Sequence, residues 1–211
     1  MSIAAIPVLF AITVHEVAHG WVAKHFGDRT AEMQGRLSLN PIKHIDPIGT
    51  VLVPIIMLLL PGNFLFGWAK PVPVDSRNMR SPRSNMVWVS AAGPAVNLVM
   101  ATMWAFFMML SQHFDLGVAG QWIEAMAAIG IFFNLLLAVF NLLPIPPLDG
   151  GQVLTNLLPP GPVNSMLQSL APWGLFIVLG LLMTGVLSQV LSGPILYLYN
   201  LLVGVFGLQM G

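Results

Sequence analysis

Cysteine is absent from the 211 residues. That excludes disulfide frameworks, thiolate metal sites and cysteine nucleophiles together. Any metal must be held by His, Asp or Glu, and cysteine usage carries no information about the redox compartment. Charge is scarce as well. Only 8% of residues are Asp, Glu, Lys or Arg, against about 25% in soluble domains. With 56% hydrophobic residues and a mean hydropathy of +0.82, the chain cannot surround itself with water. It reads as a polytopic membrane protein with the lipid bilayer as its partner. Lys and Arg balance Asp and Glu at eight each, so no global basic field exists and no nucleic-acid partner is expected. No positive stretch precedes the first apolar run, so that run is not expected to be a removable signal peptide. Internal repeats and low-complexity tracts are lacking too.

What is present is a series of apolar runs. Residues 2–23 form the first, roughly 33 Å long as a helix and sufficient for the hydrocarbon core. Residues 86–110 and 125–143 are two further strong spans. Residues 172–187 and 190–208 read as a closing hairpin, separated at Ser188-Gln189. Residues 152–170 are mixed and suit an amphipathic helix at the membrane surface. Residues 48–66 are apolar but broken by Pro54, Pro61 and Gly62. The expected fold is all-α and polytopic, with about five transmembrane helices, a membrane-embedded or re-entrant segment at 48–66 and a few short strands. Trp21, Trp88, Trp122 and Trp173 sit near span ends as interfacial anchors. The 13 methionines are scattered and read as core filler.

All eight Lys and Arg lie between residues 24 and 83, four before the 48–66 segment and four after it. If 48–66 crosses the membrane, the positive-inside rule gives a tie. If it enters and leaves on one side, every Lys and Arg is cytoplasmic, and the loops at 112–124 and 144–151 carry none. The re-entrant reading is preferred over a Pro-kinked span. Non-helical backbone at membrane depth is tolerated where it lines a wet cavity.

Inside the first span stands His15-Glu16-Val17-Ala18-His19. Five residues with three fixed recur by chance, and two satisfied histidines near a helix end are the bland alternative. Three ionisable groups inside a membrane span weigh against it. Histidines at i and i+4 share a helix face and can hold one zinc ion. The glutamate beside them can act as general base toward a zinc-activated water. Zinc peptidases use a third protein ligand, and Glu124 and Asp149 are the two distant carboxylates in apolar surroundings. Glu124 begins a span on the lysine-free side. Asp149 follows the Pro-rich break at 144–147, where glycines 150 and 151 would permit close approach to a metal; its bland reading is a turn aspartate. With a re-entrant 48–66, span 86–110 runs outward and 125–143 runs inward, which brings Asp149 level with the histidines. A crossing 48–66 would leave it on the opposite face.

Three motifs in this order give the chain its likeness: His15-Glu16-x-x-His19, Gly93-Pro94-x-x-Asn97, and Asn141-x-x-Pro144 followed by Leu148-Asp149-Gly150. The chain resembles the site-2 protease family of intramembrane zinc metalloproteases. The stretch Phe66–Val74 is similar to the compact bacterial branch, which lacks PDZ and CBS domains. The resemblance implies one Zn2+ per chain held by His15, His19 and Asp149, with Glu16 as base. It implies that Asn141 lies near the scissile peptide, and that extended segments after the first span present a transmembrane protein or peptide substrate. It also implies a single integral-membrane protease domain over 1–211, with a catalytic core at 1–151 and a helical hairpin at 172–208. The expected place is a multi-pass position in a bacterial cytoplasmic membrane, with the site nearer the cytoplasmic side. Oligomeric state is not legible. Two rivals stand beside this reading: a metal-ion or proton-coupled transporter, and an inactive protease-like binding protein. Gly93-Pro94 reads as close helix packing, Asn97 as a bond across helices, Asp46 and Asp75 as turn residues, and His25, His44 and His113 as solvated.

Overall fold

The computed structural model describes residues 2–59, 67–114 and 116–209. Nine α-helices lie among these: α1 (Ser2–His25), α2 (Thr30–Met33), α3 (Val53–Leu59), α4 (Pro82–His113), α5 (Gly117–Asn141), α6 (Asp149–Leu157), α7 (Pro162–Leu170), α8 (Gly174–Met183) and α9 (Val186–Phe206). Five stretches are long and apolar enough to cross a membrane: Ile3–His25, Pro82–His113, Gly117–Asn141, Pro162–Met183 and Val186–Phe206. The chain is thus an all-helical, multi-pass membrane protein.

Helices α4 and α5 form the central pair, and α1 packs against both. The reason lies in the stripes. Ala101, Ala105 and Met108 recur at i, i+4 and i+7 on α4, and Ala127, Ile131 and Leu135 at i, i+4 and i+8 on α5. Each set falls on one helix face. Lipid is as apolar as leucine, so burial alone does not drive these helices together; small residues let the backbones approach and dispersion does the rest. Leu187, Leu191 and Ile195 of α9 close the same core, and Val178 of α8 joins it.

Two expectations are corrected. No strand occurs among the described residues. The chain from 67 to 75 is extended, but Pro71 and Pro73 have no N–H, and several other donors go elsewhere. Lys70 N–H donates to His44 O, Val72 N–H to the Glu16 carboxylate, and Asp75 N–H to Asp28. With two donors missing, and these three and the Trp68 N–H spent, the segment pairs with no other strand among the described residues. The closing hairpin also turns earlier than expected. Its break is Thr184-Gly185, with Gly185 at φ +76°, while Ser188 and Gln189 lie inside α9. Only glycine adopts that φ without strain; a Ser-Gln pair offers no such freedom.

The 48–66 segment falls partly on residues 60–66, outside the described ones. Its described part is a wide turn at Pro47–Leu52 leading into α3. Asp46 caps it, its carboxylate accepting from Ile48 N–H and Gly49 N–H at 3.0 and 2.7 Å. On return, Trp68 N–H donates to Gly49 O and Thr50 Oγ1 donates to Trp68 O. The chain leaves and comes back at one point. The loops on either side are tied to each other, since Arg36 donates to Lys70 O at 2.8 Å and Asn78 donates to Asp28 at 3.0 Å.

Candidate metal centre

His15 and His19 project from one face of α1, rings edge to face with centroids 4.7 Å apart. Asp149 is the first residue of α6. The chain reaches it through the turn after Asn141, where Ile145 N–H bonds Leu143 O and Leu148 N–H bonds Ile145 O. Gly150 and Gly151 pack against the backbone of 142–146, where a Cβ would collide with Leu142 O and Pro146 N. These glycines serve the turn that delivers Asp149; approach to a metal is not what requires them.

The three side chains meet. His15 Nε2 and His19 Nε2 are 3.1 Å apart, and Asp149 Oδ2 is 3.2 Å from the first and 3.5 Å from the second. The protons can be traced. His19 Nδ1 lies 2.7 Å from Val89 O, a carbonyl that can only accept, so Nδ1 carries the hydrogen. His15 Nδ1 lies 2.5 Å from Asn97 Oδ1 and is likewise the donor. In the neutral rings both Nε2 atoms then turn their lone pairs toward each other and toward a carboxylate oxygen. Asp149 Oδ2 is buried and has no hydrogen-bond partner. Three potential ligand atoms converging within 3.5 Å of one another describe a candidate cation site. Their spacing fits zinc: ligands at about 2.0–2.1 Å in tetrahedral geometry stand about 3.3–3.4 Å apart. His15, His19 and Asp149 form the group of potential ligands found among the described residues.

Glu16 lines the same cavity, of about 600 Å³, with Asn141, Gln152 and Ser90. Its Oε2 accepts from Val72 N–H at 2.8 Å. That amide belongs to the extended segment, which Arg36 holds by its bonds to the Lys70 and Pro71 carbonyls at 2.8 and 3.3 Å. Asn141 donates to Leu137 O of its own helix and borders the cavity. Glu124 is not brought here; it accepts from Ser111 at 3.5 Å, 17 positions before Asn141 on the same helix. His25 and His113 are exposed. His44 is buried instead of solvated, its Nε2 bonded to Ser38 O at 2.9 Å.

Gly93, expected as a packing glycine, faces the imidazoles. A Cβ there would lie 2.5 Å from both His15 Cε1 and His19 Nε2. Pro94 next to it has no N–H, so the Ser90 carbonyl four residues earlier loses its helical donor; the Val89 carbonyl one residue before that accepts from His19. Sequence reasoning missed this, and missed Arg36, Val72 and Asn134. Only Asn134 carried a signal, being an amide in the middle of a strongly apolar span.

Comparison with known proteins places the chain beside zinc metalloproteases. The profile described as "Peptidase family M50" matches residues 114–182. The chain is 41% identical over 194 residues to "Putative zinc metalloprotease YwhC" of Bacillus subtilis, covering 90% of this chain and 84% of that protein. It is 35% identical over 185 residues to "Putative zinc metalloprotease Rip2" of Mycolicibacterium smegmatis, covering 86% and 66%. It is 24% identical over 148 residues to "Zinc metalloprotease MJ0392" of Methanocaldococcus jannaschii, covering 70% and 32%. No solved structure matches the chain.

Proposed function

The chain belongs to peptidase family M50, the site-2 proteases, and is a zinc metalloprotease; from that premise we propose that it hydrolyses peptide bonds in or near transmembrane segments of other membrane proteins. The observation that carries the reading is the meeting of three potential ligand atoms, His15 Nε2, His19 Nε2 and Asp149 Oδ2, beside the Glu16 carboxylate. These three residues hold one zinc ion per chain. Zinc, when bound, polarises the scissile carbonyl and lowers the pKa of a water toward about 7. Glu16 takes the proton of the attacking water and returns it to the leaving nitrogen. The Val72 N–H on its Oε2 fixes the carboxylate and leaves Oε1 for the proton. Asn141, one helix turn from its own tether at Leu137, borders the cavity where the scissile peptide would lie.

Access from the bilayer is supported by an apolar cleft of about 1040 Å³ bounded by α1, α5 and α9, which shares Ile12, Trp68, Phe133 and Phe140 with the metal cavity. A helical peptide bond is shielded, so the substrate must unwind there. The extended 67–75 segment supplies an edge along which an unwound chain can lie. The whole chain acts as one membrane-embedded protease domain, with its catalytic core at 1–151 and the C-terminal hairpin at 172–208. Segment 48–66 dips in and returns on one side. The contact of Gly49 with Trp68 supports this, as do the bonds between the two basic loops and the convergence of Asp149 with the histidines. All Lys and Arg then face the cytoplasm, and the site lies nearer that side of a bacterial cytoplasmic membrane.

The test is zinc content of detergent-purified wild type, Glu16→Gln and Asp149→Ala, with cleavage of a synthetic single-span peptide in liposomes. Near one zinc in wild type and Glu16→Gln, loss in Asp149→Ala, and cleavage by wild type alone are expected. Full zinc in Asp149→Ala would remove it from the ligand set. Undiminished cleavage by Glu16→Gln would remove the base, and zinc flux without cleavage would favour a transporter.

A further inference from the structure

A metal-binding histidine must present a bare nitrogen, and what fixes that nitrogen is the bond its other nitrogen makes. For His19 the partner is the Val89 carbonyl, which leaves no choice. For His15 the partner is Asn97, an amide that can turn either its oxygen or its NH2 toward the ring. Asn97 alone therefore decides nothing. Turned one way it requires Nδ1–H and frees Nε2; turned the other it accepts nothing, favours Nε2–H and closes His15 to metal.

The choice is made one step further out. Asn97 Nδ2 lies 2.8 Å from Asn134 Oδ1, and Asn134 Nδ2 lies 2.8 Å from Gly130 O. Gly130 O is a backbone carbonyl and can only accept. Asn134 must point its NH2 there, so its oxygen faces Asn97. Asn97 must answer with NH2, so its oxygen faces His15. Asn97 and Asn134 have no solvent exposure at all, and His15 has 7%. Reversing Asn97 would set its oxygen against the Asn134 oxygen, out of reach of solvent. The remaining bond from Asn97, to Ala11 O at 3.4 Å, is too long to hold the orientation by itself.

We infer that Asn134 is a positioning residue for the metal centre: through Asn97 it sets which nitrogen of His15 is bare, although it touches neither ligand nor substrate. This rests on the zinc reading above. Loss of such an outer partner costs about 10- to 100-fold in metal affinity.

The experiment measures zinc affinity of the full-length protein in detergent by competition with a chromophoric chelator. It also measures, in the metal-free protein, whether His15 Nδ1 carries a proton, from 15N-histidine spectra with the resonance assigned by its loss in His15→Gln. Asn134→Leu should weaken zinc about 10- to 100-fold. Asn134→Asp, which in this apolar site can donate its O–H to Gly130 O and accept from Asn97, should restore it. In an Asn97→Ala background, Asn134→Leu should cost no more than about twofold, the ordinary limit for independent sites. A residue that only packs would cost the same in both backgrounds. Wild-type affinity in Asn134→Leu, equal losses in both backgrounds, or a bare His15 Nδ1 in metal-free wild type would each overturn the inference. If Asn134→Leu does not fold, the wild-type spectrum and Asn134→Asp still decide. Failure of wild type to bind zinc would sink the zinc reading, while the His15 proton would still test Asn134.

Discussion

Substitution of Gly93 by alanine separates folding from function. Gly93 lies inside α4, where alanine is favoured over glycine by about 1 kcal/mol. The new methyl would sit 2.5 Å from His15 Cε1 and His19 Nε2, and 2.6 Å from His15 Nε2. Unstrained contacts lie at about 3.5–4.0 Å, so the overlap is about 1 Å on both rings. Neither ring is free to retreat, since His19 is bonded to Val89 O and His15 to Asn97. Overpacking of this kind costs about 1–3 kcal/mol. If the helix yields, the helical preference offsets part of that and the protein stays folded. If the rings yield, the same strain weakens zinc by about 10- to 100-fold, and a displacement near 1 Å can cost a further 10²-fold in rate. The assay compares thermal unfolding, zinc affinity by chelator competition and peptide cleavage for wild type and Gly93→Ala. A stable helix bundle with weak zinc and cleavage below 1% of wild type, an estimate of about 10² from that displacement, is expected. Wild-type zinc affinity in a folded Gly93→Ala protein would refute the tight approach of α4 to the imidazoles.

Three further outcomes follow from other contacts. Arg36→Met removes the donor to the Lys70 and Pro71 carbonyls; releasing the Val72 amide from Glu16 should lower kcat by about 10²-fold, the lower end of what a positioned general base contributes, with zinc content unchanged. Asp28 is buried, which alone would raise its pKa, but bonds from the Thr30 hydroxyl, Asn78, and the Asp75 and Thr30 amides outweigh burial and hold it below the usual carboxylate value. A depressed carboxylate stabilises the fold above its unfolded value and loses that contribution as pH falls through the folded one. Unfolding should therefore grow easier below about pH 4; Asp28→Asn should flatten that dependence, and Asp28→Ala should cost about 1.5–3 kcal/mol at neutral pH. Glu124→Gln, remote from the ligands, should leave zinc content and cleavage within twofold of wild type, about the scatter of independent sites.

Local patterns in the chain were legible, and long-range approach was not. Helix periodicity alone put His15 and His19 on one face, and apolar length marked four of the five spans; the fourth, Pro162–Met183, begins ten residues before the expected 172 and takes in part of the segment read as a surface helix. Asp149 needed more, because nothing local distinguishes a metal ligand from a turn aspartate before glycine. What brought it into view was the placement of Lys and Arg on both sides of 48–66, a charge argument about which end of the bundle each loop occupies. The hairpin break was misplaced because hydropathy registers polar side chains such as Ser188 and Gln189, whereas the turn follows the left-handed backbone of Gly185. The strands failed for a related reason. Extended chain was readable from Pro71 and Pro73, but a strand is a pairing, and its donors went to Glu16, His44 and Asp28.

The same distinction explains why the candidate ligands were visible while the groups that orient them were not. A charged or imidazole group inside a bilayer is costly enough to draw notice alone. An amide such as Asn134, or the missing methyl of Gly93, costs little in isolation and means something only beside its neighbour from another helix. Asn134 acquires its role because α5 lays it against Asn97, and Gly93 because α4 crosses α1 at the turn carrying His15 and His19. A neutral imidazole frees one nitrogen for a metal when a backbone carbonyl fixes the hydrogen on the other, directly or through amides. The carbonyls of Val89 and Gly130 do so, one directly and one through two amides.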